Sequence, residues 1–193
     1  MKNFLIALFT LLSASAAQAN SCYQLSPDLA ASGDSYYDIM VDAKLDRAAR
    51  KQLAQVYKLL EGKWHGQLTE MLCKGPERDI RVEYRHYQLE SKVKAGQNGS
   101  LHIQSDRHWI EKRRRMQINR HLFGPEGAYK LLDVGANHLE VAHKYRTSTV
   151  NGNSIFRETI TRLERSDKGL LIMLSDYING VLVSSESAQM AKK

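Results

Sequence analysis

Beyond its opening segment the sequence has no apolar run approaching the roughly 20 residues that a membrane helix requires, so no membrane-spanning helix is expected. Cysteine is scarce too. Only Cys22 and Cys73 occur, without the C-x-x-C spacing that lowers a thiol pKa, which argues against redox catalysis. Also missing are the G-x-S-x-G elbow, the phosphate-binding glycine loop, the dinucleotide fingerprint and H-E-x-x-H. The seven histidines show no metal-binding spacing, and His138 and His143 stand five apart. No catalytic residue, metal or cofactor is therefore expected, and the chain is read as a non-enzyme. Neither an internal repeat nor a low-complexity segment is visible.

What is present begins with residues 1–19. Lys2, the apolar run Phe4 to Leu12 and Ala17-Gln18-Ala19 read as a secretory signal peptide with a small-residue cleavage site. The mature protein would then start at Asn20 in an oxidising compartment, where Cys22 and Cys73 would form one structural disulfide. The periplasm is the expected location. An alternative makes Cys22 the acylated cysteine of an anchored lipoprotein. The length remaining fits one domain of roughly 100 to 200 residues. A net charge of +7 favours anionic surfaces such as lipid headgroups, and nucleic acid is not an expected partner of an exported protein.

Residues 20–61 read as an irregular arm with Pro27 and Gly33, followed by an amphipathic helix from Asp42 to Leu60. In that helix Leu45, Ala49, Leu53, Val56 and Leu60 recur at three- and four-residue steps opposite a basic face. From Lys63 the period changes to two. Strands are predicted near 63–72, 79–91, 99–107, 109–119, 128–133, 138–148, 154–165, 169–177 and 180–187, with residues 188–193 as a tail. The pairs Asn98-Gly99, Asn151-Gly152 and Asn179-Gly180, and the turn Ser166-Asp167-Lys168-Gly169, supply hairpin chemistry. The expected fold is mainly β: an up-and-down antiparallel barrel of eight to ten strands spanning 62–187, preceded by one helix. Closure would remove both sheet edges, and a two-sheet sandwich is the alternative.

At the junction of helix and first strand, Gly62-Lys63-Trp64 resembles the G-x-W signature of lipocalins and the wider calycin group. The resemblance implies that Trp64 plugs the closed end of a barrel and that Gly62 lets the chain turn into the sheet. Two features of the group differ. The T-D-Y turn is absent, and no arginine follows the last strand to stack on the tryptophan, a role left to Arg157 or Arg162.

Such a barrel either fills with side chains or encloses a small ligand. If the apolar face of the strand near 110 points inward, Lys112 and Arg114 enter the lumen with Ile110, Met116 and Ile118, and buried cations need an acid such as Glu70 or an anionic ligand. The candidate ligand site therefore comprises Lys112, Arg114, Glu70, His143, Tyr145, Leu68 and Val141. The other reading puts Lys112-Arg113-Arg114-Arg115 at a solvated rim that steers an anionic ligand or docks on a lipid surface. Two functions follow: a carrier of a small hydrophobic or anionic, lipid-like molecule, or a filled barrel serving as an envelope assembly factor or inhibitor through its basic outer surface.

Overall fold

The computed structural model describes residues 22–27, 45–96, 99–124, 128–148 and 150–193. The predicted signal peptide, Gly33, Asn98 and the first residues of the predicted helix lie outside the described residues.

Helix α1 (Arg47–Leu60) starts later than the periodicity suggests, because Asp46 caps it. The Asp46 Oδ1 accepts from the Ala49 N–H at 2.7 Å, satisfying a backbone donor that the first turn leaves without an intrahelical partner. Leu53, Val56, Tyr57 and Leu60 are buried on one face.

Nine strands follow: β1 (Gly62–Lys74), β2 (Arg81–Ala95), β3 (Leu101–Trp109), β4 (Arg114–Leu122), β5 (Ala128–Val134), β6 (His138–Ser148), β7 (Ser154–Ser166), β8 (Gly169–Ile178) and β9 (Val181–Lys192). They form one antiparallel sheet, in the order β4-β3-β2-β1-β9-β8-β7-β6-β5, curled into a half-barrel with α1 ahead of it. Alternation drives the curling. In β3, Leu101, Ile103, Ser105 and Arg107 are buried while His102, Gln104 and Asp106 face water. Asn179 and Gly180 both hold positive φ, 49° and 81°, as the central residues of a type I′ turn must. The last strand runs past the predicted boundary at 187, since Ala188 and Met190 are core residues paired to β1 and β8.

The expected seal between the sheet's two ends is not made, and strand parity explains why. All eight neighbouring pairs are antiparallel, so the first and last strands of a nine-strand order, β4 and β5, run the same way. A hairpin cannot join like-directed neighbours, and a crossover needs a dozen or more residues. Only residues 123–127 connect these two. Instead β5 begins where β4 stops: the Tyr129 hydroxyl donates to the His121 carbonyl at 2.9 Å, and the Phe123 and Tyr129 rings lie 5.6 Å apart. The architecture remains compatible with a calycin-like barrel, with one seam left open.

Helix α1 lies at the end of the sheet that carries the β2–β3, β5–β6 and β7–β8 turns, called here the helix end. It ties the two arms together. The Tyr57 hydroxyl donates to the Gly99 carbonyl at 3.0 Å, and the Gln52 amide donates to the Val134 carbonyl at 2.9 Å. Burial drives the Tyr57 phenol well above its ordinary pKa. Its buried face joins Trp64, Leu68, Leu89, Val93, Leu101, Ile103, Leu139, Val141, Leu163 and Leu170 in one core. Trp64 is fully buried and its indole N–H donates to the Leu60 carbonyl at 2.9 Å. The cation over its ring is Arg165 on β7, 5.3 Å from the centroid, joined by Lys192 at 5.8 Å, and not Arg157 or Arg162. Gly62 holds φ at 142°, a backbone that side-chain-bearing residues rarely adopt.

Cys22 and Cys73 form a disulfide with 5.8 Å between Cα atoms. It ties the N-terminal segment to the end of β1, where residues 23–26 hydrogen-bond the start of β9 through Tyr23, Leu182, Ser26 and Gly180. Chain-entropy reasoning puts the stabilisation from closing a loop of this size at about 4 kcal/mol. No described helix is long and apolar enough to cross a membrane.

Candidate functional site

Pairing register assigns each side chain to the concave or convex face. Toward α1 the concave face is aliphatic; away from it, polar groups enter the same face. Arg107 and Glu186, both nearly buried, form a two-pronged ion pair at 2.8 and 2.7 Å, and Arg120 adds contacts of 3.3 and 3.2 Å to the same carboxylate. Burial alone would raise the Glu186 pKa, but the Arg107 hydrogen bonds and the two guanidinium charges outweigh it and hold the carboxyl below its ordinary range. On β1 and β2, Glu70 accepts from the Tyr87 hydroxyl at 2.7 Å and lies 3.7 Å from Arg85. Burial, reinforced by Glu70, pushes the Tyr87 phenol up to about 12. On β7 to β9, Asp176 accepts from Thr159 at 2.6 Å and Ser184 at 3.2 Å.

The seam holds a cavity of about 690 Å³ lined from both sides. Asn119, Arg120 and His121 come from β4, Tyr129 from β5, His143, Tyr145 and Arg146 from β6, and Thr159 and Thr161 from β7. Its wall is an aromatic stack. The Tyr129 and His143 rings lie 4.3 Å apart and within 3° of parallel, and the His143 and Tyr145 rings lie 5.1 Å apart. Lys144 pairs with Ala128, and past it Tyr145 and Arg146 have no ladder partner on that side among the described residues. The site thus offers stacking surface, two threonine hydroxyls and guanidinium charge, a combination suited to a small amphipathic molecule with an anionic group.

The candidate ligand residues divide into four groups. His143 and Tyr145 line the cavity together. Leu68 and Val141 are packed in the core, while Glu70 is engaged with Tyr87 and Arg85 and does not line the cavity. Lys112 does not enter the lumen, because residues 110–113 form the β3–β4 turn and Arg113 takes a positive φ of 51° there. Arg114 opens β4 and is exposed. The solvated-rim placement of this basic run is the one observed; the alternation that carried Lys112 inward was extrapolated through a turn.

Tyr129, Thr159 and Thr161 line the cavity without a signal in the sequence, whereas Arg120 is among the cations expected around a positive mouth. Tyr129 and Arg120 flank the connection Phe123-Gly124-Pro125-Glu126-Gly127, which carries no Asn-Gly pair. The Arg107–Glu186 pair was legible only as two charges at inward positions of strands far apart in sequence. Among the described residues no group of three or more His, Cys, Asp or Glu side chains is arranged to hold a metal ion.

Compared with known proteins, the chain matches no family model and no curated sequence.

Proposed function

We propose that this chain is an exported binding protein of the lipocalin-like kind, working in the periplasm, and that it holds a small anionic amphipathic molecule in the seam between β4 and β5–β7. The observation that carries this reading is the cavity of about 690 Å³ walled by the Tyr129, His143 and Tyr145 stack and flanked by Arg120 and Arg146. Its volume falls within the roughly 300–1,000 Å³ of small-molecule sites. Burying about 200 Å² of apolar ligand surface there would contribute about 5 kcal/mol, and the cations would orient the polar head. The Cys22–Cys73 disulfide fits the oxidising compartment that export supplies.

Native mass spectrometry of the purified protein tests the reading. A copurified small amphipathic molecule is expected, lost on denaturation and depleted in Arg146→Glu. A protein that emerges empty and fails to bind a fluorescent fatty-acid probe at micromolar concentrations would refute it.

A second reading, action through the basic outer surface, is favoured by a different observation. The interior next to α1 is filled with side chains. On the convex face Lys92, Lys94, His102 and His121 border a shallow depression of about 280 Å³, and Lys94 holds the Lys92 ammonium below its ordinary pKa by charge repulsion.

A further inference from the structure

Large exposed hydrophobic side chains are segregated to one end of the molecule. Among the described residues six are more than a third exposed, and only Leu59 lies on α1. The other five are at the opposite, rim end. Leu25 pairs with the start of β9, Ile80 and Tyr84 flank the entry to β2, Ile110 sits in the β3–β4 turn at 45% exposure, and Val150 stands at the β6–β7 tip, fully in solvent. Single exposed aliphatics are ordinary. Aliphatics on three successive hairpin tips that the topology places at the same end are not scattered singly.

The rim end is also basic. The segments 74–81, 110–115 and 146–157 carry nine Lys and Arg against three acids. Within the β3–β4 turn and the first residues of β4, Lys112, Arg113, Arg114 and Arg115 are all exposed. Apolar tips ringed by cations match a surface that offers phosphate negative charge above a hydrocarbon layer. A soluble acidic partner would complement the cations and leave Ile110 and Val150 in water.

We infer that the rim end docks on an anionic lipid bilayer, with Ile110 and Val150 entering the headgroup boundary and the Lys112–Arg115 run meeting lipid phosphates. The β6 strand that borders the seam cavity ends in the Val150 hairpin, so docking brings that wall of the cavity toward the lipid surface. The inference stands apart from the cavity reading, because its test reads no cavity ligand.

Co-sedimentation of the purified protein with vesicles of phosphatidylcholine alone, and of phosphatidylcholine mixed with phosphatidylglycerol, tests it. Binding is expected only to the mixed vesicles and should weaken as salt is added. The pair Ile110→Asp with Val150→Asp, and separately Lys112→Glu with Arg113→Glu, should each weaken it by about tenfold or more, whereas Leu59→Asp should leave it unchanged. All these positions are exposed, and circular dichroism verifies that each variant is folded. In a second measurement, a tryptophan placed as Val150→Trp should shift its emission to the blue on mixed vesicles and be quenched by brominated lipid. Equal binding by the rim variants, no binding to mixed vesicles, or equal capture by soluble polyglutamate without the emission shift would each overturn the proposal.

Discussion

The concave face beside α1 and the seam beside β4 are made from the same strands, yet they are held by different physics. Near α1 the inward positions are mostly aliphatic or aromatic, with the buried Ser91 and Ser105 hydrogen-bonded to each other, and the helix ties both arms. At the seam the inward positions are charged, hydroxylated or aromatic, one ladder is missing, and a cavity remains. On the proposed reading, stability and binding fall to different parts of one sheet. Substitutions should therefore separate into those that unfold and those that empty.

Trp64→Ala should have the largest effect on stability. It removes a fully buried indole and its hydrogen bond to Leu60, and a loss of about 3–5 kcal/mol is expected, read as a fall in Tm of roughly 10 °C. A smaller fall would mean that the helix end is not the anchor of the fold. Glu186→Ala comes next. It strands Arg107 in the interior at a cost of about 3 kcal/mol, whereas Glu186→Gln keeps an acceptor and should cost less.

Acid titration sharpens the same contrast. Because the Glu186 carboxyl is held below its ordinary range, its contribution is fully present above the unfolded carboxylate pKa of about 4.3 and is lost as pH falls through the lower folded value. Stability measured by denaturant titration should therefore fall less steeply in acid for Glu186→Gln than for the parent. An identical acid slope would show that this carboxylate has no depressed pKa. The smallest effect on stability is expected from Tyr145→Ala on β6, below about 1 kcal/mol, while affinity for a fatty-acid probe should drop about tenfold if the aromatic stack is a binding wall. Large destabilisation with unchanged affinity would invert the comparison.

Much of this division was legible in the residues. The switch from three-and-four spacing before Leu60 to alternation after Lys63 announced one helix and then strands, and Asn179-Gly180 marked a turn whose φ values the structure confirms. The Cys22 and Cys73 pairing followed from a count of two. The seam was harder to read, since hydrophobic alternation is a local signal and the direction in which β4 and β5 run relative to one another is a property of the whole strand order. The site suffered for the same reason. His143 and Tyr145 were picked by their shared face, but Leu68 and Val141 share that face too, and only the position of α1 decides which inward residues are packed and which line open space. At Lys112 a turn with a left-handed residue at Arg113 interrupts an alternation that looks continuous in letters, and the rim placement weighed beside the inward one is where the run sits.

The like-directed strands at the seam carry one more consequence. Their mismatch is arithmetical, a remainder left when an odd count of alternating elements is bent toward a circle, so no change of a single amino acid can convert that junction into an antiparallel ladder. Only the gain or loss of a whole element would do so. The gap is in this sense inherited from counting, and it persists without a hinge, a lid or stored strain to hold it ajar.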